Sequence, residues 1–322
     1  MKRIRYELLK KTGDETIFEA DYKQLFQKAV LKRKEVAWKD WRAKHDPAGT
    51  ITETVEEVLT ADFHTLVDVY KRFLALGVPE TETDVKGNVV RSQAMKDVDA
   101  IFNYTGYYDS KIADFFMDWA EKLEIRSCYY CEMSYVNVYT IVEKKNGSDV
   151  KKRQFDLDHF LPKAKCPCVG LSLYNFVPSC QVCNSRIKLD NMPNVSADEY
   201  EQISPTSNSA DFDKNITVRL RMKPCGKSLL AGRYIYLRAK RPYRQYVDFF
   251  RLSERYSFHK CEAERLKGLK ARYPKSIIKK IAKLLGYREK EVEEDIFNMG
   301  YLKEKGRCFE KFTRDVLGVK KC

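Results

Sequence analysis

Two Cys-x-x-Cys pairs, Cys128/Cys131 and Cys180/Cys183, restrict this chain more than any other feature. Each pair can present two thiolates from one tight knuckle. Together they make the four soft ligands that a tetrahedral structural Zn²⁺ prefers. If both knuckles grip one ion, the 48 residues between them must leave the site and return to it. An inserted β-hairpin meets that demand. The competing reading is two independent buried thiol pairs or redox motifs. Cys166, Cys168, Cys225, Cys261, Cys308 and Cys322 share no spacing and read as ordinary core or surface thiols. Cys166-Pro167-Cys168 has a one-residue gap and no fourth partner, which argues against a second metal site.

The preference for metal over disulfides rests on compartment. The first residues, MKRIRYELLKKTG, are basic but lack the apolar run of a secretory signal. No stretch reaches the roughly 18 consecutive apolar residues of a membrane span. The expectation is a cytoplasmic protein with no membrane partner, where thiols stay reduced. With 322 residues, 43% of them hydrophobic, the chain is long enough for a sizeable core.

Residues 1–125 read as a helical region. Alternation over residues 2–9 predicts a short strand. Helical spacing follows over Asp21 to Lys44, with Asp21 and Gln24 resembling a capping box, and over residues 53–76, stopped by Gly77 and Pro79. Residues 80–91 read as a polar loop. Ser92 and Asp109 are expected to cap two further helices. Residues 126–205 form the knuckle region. A strand is expected over Val136 to Val142, a turn at Asn146-Gly147 and a returning strand over Gln154 to His159. From Asp190 through Ser209 the chain reads as loop. In the last region, 206–322, strands are expected at Ile216 to Met222 and Tyr234 to Leu237. Cys225-Gly226-Lys227-Ser228 forms the turn, and a helix runs from Pro274 to a Gly286 stop, with another near Phe309 to Leu317. The fold class is α+β.

Polar residues cluster between and after the knuckles. Phe155-Asp156-Leu157-Asp158-His159-Phe160 alternates, so Asp156 and Asp158 share one strand face and His159 points to the other. Hydrolysis of a phosphodiester needs an activated water, charge neutralisation at the phosphate and help for the leaving oxygen. A divalent ion beside a base can supply these. Histidine suits the base. Carboxylate and amide oxygens suit Mg²⁺. Asp158, His159 and Asn184 offer that set. Taken singly, each has a plainer explanation: an Asp-His hydrogen bond, a turn cap at Asn175, a helix cap at Asn184.

Taken in order, Asp158-His159-Phe160-Leu161-Pro162, then Asn175, then Cys180-Gln181-Val182-Cys183-Asn184 resemble the HNH endonuclease family, in its four-cysteine zinc branch. The resemblance covers Cys128 to Lys188. It implies a ββα-metal core with structural Zn²⁺ and catalytic Mg²⁺ or Mn²⁺. It implies Asp158 and Asn184 as catalytic-metal ligands, His159 as general base and Asn175 as the residue orienting that base by hydrogen bonding. Arg186 or Lys188 would contact phosphate. Tyr174-Asn175-Phe176-Val177-Pro178-Ser179-Cys180 is also similar to bacterial HNH proteins of anti-phage systems, including the nuclease component of Septu. That likeness implies a partner ATPase or other defence subunit.

The net charge of +14 has a location. Lys227 to Arg288 carries 18 Lys or Arg against four acidic residues, and the flanking segments balance. Such a segment suits a phosphate backbone. It is expected to form one wall of a substrate channel, with Arg238, Lys240, Arg241 and Arg244 among its contacts. The combined expectation is an endonuclease acting on nucleic acid, DNA favoured over RNA. The alternative is a catalytically silent zinc module that binds nucleic acid or a partner protein.

Overall fold

The apolar stretches of the first hundred residues fold as helices, with more breaks than their spacing indicates. In the computed structural model, residues 1–105, 107–142, 149–222, 233–298 and 307–319 are described. Helix α1 (Glu7–Thr12) replaces the strand expected over residues 2–9. Ile4 and Tyr6 are buried just before it, and Gly13, at φ 77°, closes it by donating to the carbonyls of Leu9 and Lys10. The helix expected from Asp21 is two helices, α2 (Glu15–Gln24) and α3 (Lys28–His45), so Asp21 lies inside α2 and caps nothing. The break lets Phe26 turn inward onto Tyr22 and Tyr108. Likewise 53–76 divides into α4 (Val55–Thr60) and α5 (Phe63–Ala75). A Thr54–Glu57 capping box starts α4, and Asp62 starts α5 by accepting from the Thr65 N–H. The expected polar loop carries a short hairpin, β1 (Thr81–Thr83) with β2 (Val89–Arg91). Ser92 caps α6 (Gln93–Ile101) as expected, whereas Asp109 lies in the first turn of α7 (Tyr107–Asp118).

Between the knuckles there are two hairpins rather than one. Strand β3 (Val138–Val142) pairs with β4 (Asp149–Arg153), not with the segment ending at His159. The expected Asn146-Gly147 turn lies outside the described residues. Strand β5 (Asp156–His159) pairs antiparallel with β6 (Phe176–Ser179), placing His159 opposite Phe176 and Asp158 opposite Val177. Burial decides between these pairings. β3 and β4 are largely exposed, while β6 is wholly buried and needs an interior partner. A π-helical segment, Val182–Lys188, follows the second knuckle, so the unit reads strand, strand, helix.

The expected loop from Asp190 to Ser209 contains a short helix, α8 (Tyr200–Ile203), and α9 (Phe212–Asn215) follows it. Strands β7 (Ile216–Met222) and β8 (Arg233–Ala239) pair as a ribbon. The residues expected to turn between them, Cys225 to Ser228, lie outside the described residues. Helices α10 (Tyr243–Phe249), α11 (Leu252–Ser257), α12 (Lys260–Arg272), α13 (Lys275–Leu285), α14 (Glu289–Phe297) and α15 (Glu310–Leu317) complete the chain. Gly286, at φ 70°, ends α13 as its sequence indicates. Helices and two-stranded antiparallel sheets together make an α+β architecture. Among the described residues, no helix is long and apolar enough to cross a membrane.

One buried core extends from Met1 to Leu317 through all three sequence regions. The N-terminal helices rest directly on the loop between β5 and β6. Phe63 meets Phe160 edge to face, Phe116 meets Phe176, and the Tyr22 hydroxyl donates to the Leu171 carbonyl at 2.6 Å. These contacts fix the backbone that carries the polar cluster.

Candidate functional site

Both knuckles converge. The sulfurs of Cys128, Cys131, Cys180 and Cys183 all lie within 4.8 Å of one another, and all four residues are buried. Cys131 and Cys180 Sγ are 3.9 Å apart. A tetrahedron with metal–sulfur bonds of about 2.3 Å has edges of about 3.8 Å, so the cluster could hold a structural metal such as zinc. Its surroundings suit thiolates. The N–H of Cys180 donates to Cys128 Sγ, that of Met133 to Cys131 Sγ, and the Arg255 guanidinium to Cys183 Sγ at 3.3 Å. Arg255, on α11, is a partner that its distance in sequence concealed. Cys166 and Cys168, also buried, approach each other to 3.1 Å and join no metal-type cluster among the described residues. Cys225 and Cys322 lie outside the described residues.

Asp158 and His159 leave opposite faces of β5, as alternation requires. Asp158 is buried and faces two donors, the Tyr130 hydroxyl and the Lys188 ammonium, the latter at 3.2 Å. Burial raises its carboxyl to about 6, while Lys188 and Tyr130 pull it down. Lys188 also donates to the His159 carbonyl at 2.6 Å and is 1% exposed. The expected phosphate contact at Lys188 is therefore not free in this structure, because its ammonium is turned inward onto Asp158. Arg186 is exposed.

The His159 ring lies between Tyr104 and Phe176, with centroid separations of 4.6 and 4.8 Å. Its Nε2 lies 2.8 Å from the Gly170 carbonyl oxygen. A carbonyl only accepts, so Nε2 carries the proton and the neutral ring keeps its lone pair on Nδ1. Burial, then the charge of Lys163, push the imidazolium down to about 3, so the ring is neutral at physiological pH.

Asn175, wholly buried, makes three bonds to one loop. Its Oδ1 accepts from Leu161 N–H, and its Nδ2 donates to the carbonyls of Leu161 and Val169. None reaches the His159 ring. The group bonded to the ring is the Gly170 carbonyl, adjacent to a residue Asn175 holds. Asn175 thus bears on His159 through the backbone, not by the direct hydrogen bond expected of it. Asn184 is brought to Asp156 rather than to Asp158: its Nδ2 donates to Asp156 Oδ2 at 3.2 Å. Asp156 was legible only as sharing a face with Asp158. Tyr130, enclosed within the first knuckle, carried no sequence signal for its bond to Asp158.

The basic contacts separate into two kinds. Arg241 makes a bidentate ion pair with Glu199, and Arg244 pairs with Asp248 at 2.9 Å. Both guanidiniums are exposed but already matched with acids. Arg238 and Lys240 are exposed and have no acidic partner among the described residues.

Comparison with known proteins found no match among family models, curated proteins or solved structures.

Proposed function

We propose that this chain is a metal-dependent endonuclease of the HNH type, with its β5–β6–helix unit fastened by structural zinc. The observation that carries this reading is the arrangement around that unit. Asp158 and His159 end its first strand, Asn175 precedes the second, Asn184 lies on the helix, and a four-cysteine cluster joins the strand–helix junction to the turn at Cys128 and Cys131. In this reading Gly170 fixes the tautomer and His159 Nδ1 takes a proton from the attacking water, a role that needs the anionic substrate to raise the basicity that burial lowers. Asp158 and Asn184, with Asp156 adjacent, supply hard oxygen donors for Mg²⁺ or Mn²⁺. Such an ion would neutralise charge at the scissile phosphate. Because Lys188 holds Asp158, metal entry at Asp158 requires that ammonium to give way. Nucleic acid is the substrate, DNA favoured over RNA, with 5′-phosphate and 3′-hydroxyl products. An anti-phage role with an ATPase partner follows from the looser likeness alone.

The buried Lys188–Asp158 pair and the buried His159 favour a second reading, a catalytically silent zinc module. Digestion of plasmid DNA and of RNA with Mg²⁺ or Mn²⁺ separates the two. Wild type should cleave, and His159→Ala should cut at least about 100-fold more slowly. Equal cleavage by both would overturn the assignment of His159. No cleavage by wild type would favour the silent module or a nuclease that waits for its partner.

A further inference from the structure

The β7–β8 ribbon presents a face that its acid-paired neighbours do not. Its inner side is apolar: Ile216, Val218, Ile235 and Leu237 are buried. Alternation sends Arg219 and Arg221 outward from β7, and Tyr234, Tyr236 and Arg238 outward from β8. The register places Arg219 opposite Tyr236 and Arg221 opposite Tyr234. The Arg221 guanidinium lies 5.0 Å from the centre of the Tyr236 ring. Arg219, Arg221 and Arg238 are exposed, and among the described residues none has an acidic partner. Arg241 and Arg244, close by in sequence, are both paired. On α12, partial burial, then the charges of Lys270 and Arg219, hold Lys267 below the usual lysine range.

We propose that this outer face, Arg219, Arg221, Tyr234, Tyr236 and Arg238, binds single-stranded nucleic acid. Guanidiniums bind phosphate oxygens through paired N–H donors. Half-exposed tyrosine rings offer faces on which unpaired bases stack. Duplex bases are already stacked on one another, so a surface that interleaves the two groups suits a strand whose backbone and bases are both accessible. The proposal deepens the nuclease reading by naming the form of the substrate, but it concerns binding alone.

The test uses the full chain and a fluorescein-labelled oligonucleotide of about 20 nucleotides, single-stranded or as duplex, read by anisotropy. No divalent ion is added, so no cleavage is read and the two proposals fail independently. Wild type should bind the single strand at least about ten-fold more tightly than the duplex. Arg219→Glu with Arg221→Glu should weaken single-strand binding by about 30-fold or more and reduce the slope of log affinity against log salt by about 1.4. Tyr234→Ala with Tyr236→Ala should weaken it about ten-fold and leave duplex binding unchanged. If charge reversal unfolds the chain, Arg219→Gln with Arg221→Gln serves in its place. Wild-type affinity in a folded arginine variant would overturn the site. Equal affinity for single strand and duplex, or no effect of the tyrosine pair, would overturn the single-strand preference.

Discussion

Lys188 brings a full charge into the interior, and the polar cluster is built around how that charge is matched. Its ammonium reaches Asp158 at 3.2 Å and the His159 carbonyl at 2.6 Å, with Tyr130 donating to the same carboxylate. Two ions removed from water hold each other in place, and neither is tolerated alone. Lys188→Met should therefore cost about 3–5 kcal/mol, by leaving a buried carboxylate without its cation. Adding Asp158→Asn should restore much of that loss. Denaturant melts of the two single variants and the double should give a coupling of at least about 2 kcal/mol. Strictly additive costs would mean that the pair is held by its surroundings and not by mutual attraction.

At the scale of elements, the knuckle spacing and the Pro274-to-Gly286 helix were legible because each depends on neighbours a few residues away. Strand pairing was not. Only Gln154 to His159 reads as a returning strand, whereas Asp149–Arg153 also forms one, and the burial of β6 shows that β5 must go to it and leave β4 for β3. The joining of Asn184 to Asp156 was hidden for a related reason, since it depends on where the π-helical segment sits against β5. Arg219 and Arg221 escaped notice because the charge-rich window begins at Lys227, whereas the ribbon pairs β7 with β8 across it. The knuckles themselves give a direct prediction. Their thiols lie on segments some fifty residues apart, so a bound ion ties β6 and its helix to the turn at Cys128. Purified protein should contain one zinc per chain by elemental analysis. Cys183→Ser should lose most of it and melt lower by on the order of 10 °C. Unchanged metal content would show that these sulfurs are not the ligands.

For the molecule as a whole, the polar cluster is supported from both flanks. Phe160 packs against Phe63 and Tyr200, Phe176 against Phe116 and Tyr104, and the Leu171 carbonyl accepts from Tyr22. On the other side the hydroxyls of Tyr246 and Tyr256 donate to the carbonyls of Tyr130 and Cys131 inside the first knuckle. A fragment spanning residues 126–205 would keep all four cysteines and lose nearly all of these partners. Exposing Phe160, Leu171, Leu173 and Phe176 forfeits about 1.5–3 kcal/mol for each side chain. The sum is comparable with the 5–15 kcal/mol that typically separates folded from unfolded chains. Zinc held by the four cysteines would offset part of that, by tying the knuckles and not by covering the apolar faces. The fragment, refolded with zinc, should show no cooperative thermal transition by circular dichroism, whereas the full chain should melt sharply. A cooperative melt of the fragment within about 10 °C of the full chain would mean that the unit carries its own core and that the flanking helices only dock against it.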